Sequence, residues 1–228
     1  MIANKKKFSG GLVLLLTFLV VLIIIFSPVF KGQNGLEYLD ALYNSISKGS
    51  AYYIPKVKEE AGGLSGRSID VTLRMGDKEQ AMQTALLFKN GGASVDMSED
   101  SLQVRGDLGT ILKACLADAD NMYHNRGQAV FDKYGYNERR ALFNWWHALN
   151  AMDKDLKKQK KFKEAKMVAL VVKKGVEPSY NYYEIAPQKI SDRFGIVIFS
   201  LVFYVIYTLW YGFAIMYMFE GWGMRLEH

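Results

Sequence analysis

Two long stretches interrupt the alternation of polar and apolar positions along this chain. Residues 194–219, FGIVIFSLVFYVIYTLWYGFAIMYMF, form a run of 26 without a charged side chain. As a helix rising 1.5 Å per residue this run spans about 39 Å, more than the roughly 30 Å of bilayer hydrocarbon. Residues 11–30, GLVLLLTFLVVLIIIFSPVF, form the second run and follow Lys5, Lys6 and Lys7. In lipid only a helix satisfies its own backbone hydrogen bonds, so both runs predict transmembrane helices. The N-terminal run exceeds the apolar core of a signal peptide and no small-residue cleavage motif follows it, which predicts a retained signal-anchor; a cleaved signal is the alternative.

Between the runs the pattern becomes that of a folded domain. Asn34 with Glu37 three residues on has the form of a capping box, and Leu36, Leu39, Tyr43 and Ile46 continue at helical spacing up to Gly49. Tyr52, Tyr53 and Pro55 open an aromatic linker that ends in the flexible AGGLSG of residues 61–66. Ile69, Val71, Leu73 and Met75 alternate with Asp70, Thr72 and Arg74, the period of a half-buried strand. Asp77 caps a predicted helix to about Asn90, and residues 93–97 and 101–105 alternate around Ser98, Glu99 and Asp100 as a hairpin. From Asp107 a helix presents Leu108, Ile111, Leu112, Cys115, Leu116, Ala119 and Met122 on one broad face. Asn137 starts the longest soluble helix, with Leu142, Trp145, Leu149, Met152 and Leu156 as a seam and Phe143 and Trp146 widening it. Its pattern runs on to Gly175, with a break expected near residue 166, and a tyrosine-rich connector, residues 179–185, leads into the second run.

The fold class expected is therefore a membrane protein with two transmembrane helices flanking one extracytoplasmic α+β domain, a β-α-β-β-α unit plus a long helix. Its divisions are an N-tail to residue 10, a first span at 11–30, the domain at 31–190, a second span at 194–219 and a tail at 220–228.

Charge sets the orientation. Three lysines before the first run, against Lys31 directly after it, favour a cytoplasmic N-terminus and a periplasmic domain in an inner (plasma) membrane. Lys189 and Arg193 before the second run, with Arg225 after it, pull weakly the other way, but the first helix usually dominates. Leu226, Glu227 and His228 have the form of the start of an affinity tag. The net charge is +6, and residues 31–193 carry 25 Lys and Arg against 21 Asp and Glu. That surface is too balanced for a nucleic-acid partner.

The residues that could carry chemistry are sparse. One cysteine, Cys115, excludes an internal disulfide and covalent haem. His124 with Asp118 and Asp120 could in principle bind a metal, but a solvent-exposed or hydrogen-bonded histidine at the helix end is the plainer expectation. His147 beside Trp145 and Trp146 reads as a polar edge residue. The glycines at 62–66 lack the ending of a phosphate loop. Asp118/Asp120 and Asp153/Asp155, two apart on helices, point in different directions and cannot act on one atom. No nucleophile has a recognisable base. No catalytic residue, metal site or cofactor is expected.

Two surfaces point to partners instead. Lys157, Lys158, Lys160 and Lys161, in a run of seven lysines from Lys154 to Lys166, are candidates for contact with anionic headgroups or an acidic partner, though a solvated helix face is the plainer reading. In the second apolar run Tyr204, Tyr207, Thr208 and Trp210 fall mid-span, where a phenol lacks a hydrogen-bond partner in bare hydrocarbon, and Gly212 adds a small position with Ser200 and Ala214. The first run offers little beyond Thr17 and Ser27 to meet them. These residues predict an integral-membrane protein partner, with a homo-oligomer also possible. The expected function is a non-catalytic accessory subunit of a bacterial-type inner-membrane complex. A ligand-sensing domain signalling through a separate partner (the tail of about nine residues leaves no room for an output module) and a membrane-anchored enzyme are the alternatives.

Overall fold

The computed structural model describes residues 2–30 and 32–224; Lys31, Arg225 and the tag-like end lie outside the described residues. The chain divides into two compact units, Met1–Ser47 with Pro187–His228, and Lys48–Ala186.

The first unit contains α1, Lys5–Phe26, the greater part of α2, Gly35–Ser50, and α10, Ile190–Trp222. Both α1 and α10 are long and apolar enough to cross a membrane. α1 stops four residues before its apolar run ends because Ser27 precedes Pro28 and is held extended, at φ −81° and ψ 147°. Asn34 and Glu37 exchange both bonds of a capping box, at 2.9 and 3.0 Å. α2 meets α10 where the Tyr43 hydroxyl and Ser200 Oγ lie 2.7 Å apart.

The second unit is a helical domain with a small three-stranded sheet. Its strands β1, Ser68–Arg74, β2, Ser94–Ser98, and β3, Ser101–Asp107, lie in the order β1-β3-β2, all neighbours antiparallel. β1 and β2 are joined by α4, Lys78–Asn90, with β3 inserted between them, a split β-α-β arrangement. Ile69, Val71 and Leu73 of β1 and Leu102 and Val104 of β3 face the core. On the opposite face Arg105 bridges Asp70 and Asp96 across three strands, at 3.1 and 2.9 Å. Asp77, Asp107 and Asn137 each cap the helix that follows: α4, then α5, Leu108–Tyr123, then α7, Glu138–Lys158. All five seam residues of α7 are buried.

Two expectations change. The aromatic linker opened by Tyr52 is helical instead, because α3, Ile54–Gly62, buries Ile54, Val57 and Ala61 there and takes Pro55 into its first turn, where proline is tolerated. The long helix breaks eight residues earlier than residue 166. α7 ends at Lys158, Lys160 takes a left-handed φ of 61°, and α8, Phe162–Val171, returns alongside α7. Through Asp155 and Gln159 this end of α7 also bonds the free edge of β1, at Thr72 N and Asp70 O. A π turn, Val172–Val176, and α9, Glu177–Asn181, then carry the chain out of the domain, and α6, Gly127–Tyr134, precedes α7.

Candidate partner-binding surfaces

The α1–α10 pair is antiparallel, and contacts along its length set the register. Gly11 lies against Ala214 and Met218, so closely that a Cβ there would sit 2.7–2.8 Å from Met218 N and Ala214 O. Trp210 Nε1 donates to Leu14 O at 3.0 Å, and the Tyr207 hydroxyl reaches Phe18 O at 3.4 Å while its ring stacks on Phe18 at 4.2 Å. Lys7 pairs with Glu220 at one end, at 2.7 Å. The first helix thus meets the polar aromatics with backbone carbonyls, not with Thr17 or Ser27. Those two hydroxyls turn back on their own helix, to Val13 O, Leu14 O and Ile23 O.

The five candidate residues of α10 therefore divide between two faces. Tyr207 and Trp210 turn toward α1. Tyr204, Thr208 and Gly212, spaced by four, form a stripe on the other side. Tyr204 is 69% exposed and its hydroxyl has no hydrogen bond among the described residues. Thr208 Oγ1 donates to Tyr204 O at 2.8 Å, and a Cβ on Gly212 would meet nothing within 4 Å.

Inside the second unit a carboxylate that sequence reasoning set aside is a structural centre. Asp118 is 1% exposed and accepts from Tyr134 at 2.6 Å, Trp145 Nε1 at 2.9 Å and Lys133 Nζ at 2.9 Å. Asp120 points elsewhere, to Tyr52 at 2.6 Å and to His124, whose Nδ1 lies 2.9 Å from the Asp120 carbonyl. Asp118, Asp120 and His124 do not converge, and no group of three His, Cys, Asp or Glu among the described residues could hold a metal ion. His147 sits in the flank of α7 with Nδ1 buried and unpaired, and its pKa is lowered by burial and by Lys154 and Arg140.

No protein-family model, curated protein or solved structure matches this chain. Its functional reading therefore rests on these geometries.

The mouth of the second unit, where the chain enters and leaves, is clasped by Lys48. Its Nζ donates to Asn125 Oδ1, Tyr182 O and Ile185 O, at 2.9, 2.9 and 2.7 Å. Asn125 in turn donates to Ile185 O and accepts from Glu184 N, and the Tyr123 hydroxyl donates to Lys48 O. Glu138, at the start of α7, accepts from Tyr183 at 2.9 Å.

Tyr52, Tyr123 and Tyr183 around this mouth are each pushed up to about 12, chiefly by burial, with Asp120 and Glu138 adding to the first and last. The unfolded chain releases these protons near pH 10 while the fold retains them, so stability falls as pH rises from about 10 to 12. The melting temperature should drop across that window, and replacing all three tyrosines by phenylalanine should lessen the drop, the buried Tyr134 and Tyr136 keeping the remainder. An unchanged slope would show that the mouth does not hold these protons.

The four candidate lysines lie at the opposite pole. α7 is 21 residues long, so its end is about 31 Å from Glu138. Lys157 and Lys158 close α7, Lys157 pairing with Asp153 at 2.6 Å, whereas Lys160 and Lys161 lie in the turn before α8. They do not share one helical face.

Proposed function

We propose that this chain is a non-catalytic accessory subunit of an inner-membrane protein complex, anchored by α1 and α10 with the Lys48–Ala186 unit outside the cytoplasm. The observation that carries this reading is the stripe Tyr204, Thr208 and Gly212 on the face of α10 turned away from α1. An unpaired phenol near the middle of a span is costly in hydrocarbon, and a glycine beside it lets another helix approach closely. The first helix has already used its carbonyls on Tyr207 and Trp210, so a helix of another protein is the natural partner for this face. Lys5, Lys6 and Lys7 support a cytoplasmic N-terminus.

Gly212→Leu tests the reading. Added atoms at this position meet open space, so the chain's own fold should be kept, within roughly 0.5 kcal/mol. After gentle extraction from its native membrane, unaltered protein should co-migrate with an integral-membrane partner and the variant should lose most of it. Tyr204→Phe should weaken retention less, since a single interhelical hydrogen bond contributes about 0.6–2 kcal/mol. A protein that migrates alone in both forms would overturn the proposal.

A further inference from the structure

The lysine run continues beyond the turn into a groove that the spacing of the sequence did not mark. α8 lies beside α3, and Glu60, Lys163, Lys166, Met167, Leu170 and Lys173 line a groove of about 460 Å³ between them. A second depression shares Glu60, Lys163 and Met167 and extends it to Gly63 and Leu64. From Lys163 to Lys173 the helical rise gives it a length of about 15 Å. Its floor is apolar and includes Met167, a side chain that adapts to varied surfaces. At the upper end Phe162 stands 63% exposed between Lys161 and Lys163.

The charge of this face is strongly biased, with Glu60 the one acid among the described residues that line the groove. Residues 157–174 contain eight lysines and one acid, Glu164. Lys157 is paired with Asp153, and Lys174 lies over the Tyr53 ring at 4.2 Å. The other six, Lys158, Lys160, Lys161, Lys163, Lys166 and Lys173, have no ion pair among the described residues. A surface with an apolar floor and unpaired lysines on its rim calls for a ligand that is both anionic and apolar.

Resting on the subunit reading, we propose that the α3–α8 groove docks an acidic, amphipathic segment of a protein partner. Carboxylates of the segment pair with Lys163, Lys166 and Lys173, and its apolar side chains cover Met167, Leu170 and Phe162. Anionic headgroups share the charge but not the shape. The lysine row runs lengthwise for about 15 Å, from Lys163 to Lys173, above an apolar floor, longer than a single headgroup and narrower than a layer of them. An elongated segment can lie along such a row.

The test uses the full chain in its native membrane, with Met167 replaced by the photoreactive residue benzoylphenylalanine and a second version carrying it at the exposed Met82. The expected result is a protein adduct from position 167, absent from position 82, whose cross-linked peptide carries excess Asp and Glu. Its yield should fall at least tenfold in a Lys163→Glu, Lys166→Glu, Lys173→Glu chain. It should also fall severalfold in the unreversed chain between 50 and 500 mM NaCl, a reading that does not depend on the variant folding. No adduct, an adduct with lipid alone, a peptide without acidic excess, or a yield indifferent to both salt and charge reversal would overturn the proposal. Retention of the partner bound through α10 is read separately with Gly212→Leu. A chain that keeps that partner but gives no acidic adduct loses only the groove, and a chain that migrates alone loses the subunit reading.

Discussion

Gly11→Leu is expected to force α1 and α10 apart, while Gly10→Leu, one residue earlier, is expected to do almost nothing. At Gly11 the new Cβ would lie 2.7 Å from Met218 N and 2.8 Å from Ala214 O, both backbone atoms of α10 that cannot rotate away. At Gly10 it would meet nothing within 4 Å. The Gly11 variant must therefore open the pair, and opening it breaks Trp210 Nε1 to Leu14 O and unstacks Phe18 from Tyr207. Overpacking costs about 1–3 kcal/mol and the lost hydrogen bond about 1 kcal/mol more, so roughly 2–4 kcal/mol of pairing is at stake. The measurement is the yield of a cross-link between cysteines placed at Leu15 and Tyr211 in the full chain, in detergent. Gly10→Leu should keep the parent yield and Gly11→Leu should lose most of it. Equal yields would mean that the two helices do not meet at Gly11.

The second large effect is expected at Asp118. Asp118→Ala removes the acceptor of Tyr134, Trp145 and Lys133 together, leaving two donors buried and unpaired and opening a void beneath α7. Losing one side of such a buried, charged network costs about 3–5 kcal/mol, a large share of a domain's stability. Asp118→Asn should cost less, about 1–2 kcal/mol. Its amide oxygen can take the position that serves Tyr134 and Trp145, and Lys133, partly exposed, can turn its ammonium to water. Urea unfolding of the full chain, followed by tryptophan fluorescence, should rank parent above Asn above Ala. An alanine variant as stable as the asparagine one would show that the carboxylate is not the hub of this network.

The local rules of the chain were legible. Asn34, Asp77, Asp107 and Asn137 announce four helix starts, and each accepts the backbone bond that its spacing predicts. The alternation of Ile69, Val71 and Leu73 gives the buried face of β1 outright. What depends on rotation about a helix axis was harder to read. Tyr204, Tyr207, Thr208 and Trp210 look like one group along the sequence, yet a step of three or four residues decides which face each occupies. Only the register with α1 sets that choice.

Asp118 is an instructive miss. It lies on the stripe of Ile111, Cys115 and Met122, so its phase already put a carboxylate among buried apolar residues. Such a charge implies waiting donors, but these come from α6 and α7, well apart in sequence. The burial of α3 was missed for a different reason. Ile54, Val57 and Ala61 carry a helical period, but the glycines that follow drew the whole stretch into a loop. The end of α7 left still less trace. Lysine favours helix, so nothing in Lys157 to Lys161 marks a reversal that depends on one left-handed residue, Lys160.

The clasp at Lys48 has a mechanical consequence. Its ammonium holds Tyr182 O and Ile185 O, and Asn125 ties down Glu184 and Ile185, so the incoming and outgoing strands of the connection are stitched to each other before either reaches the sheet. A pull that spreads the two connectors loads these few bonds before it loads the antiparallel ladder of β1, β3 and β2. The fastening short-circuits tension at the threshold.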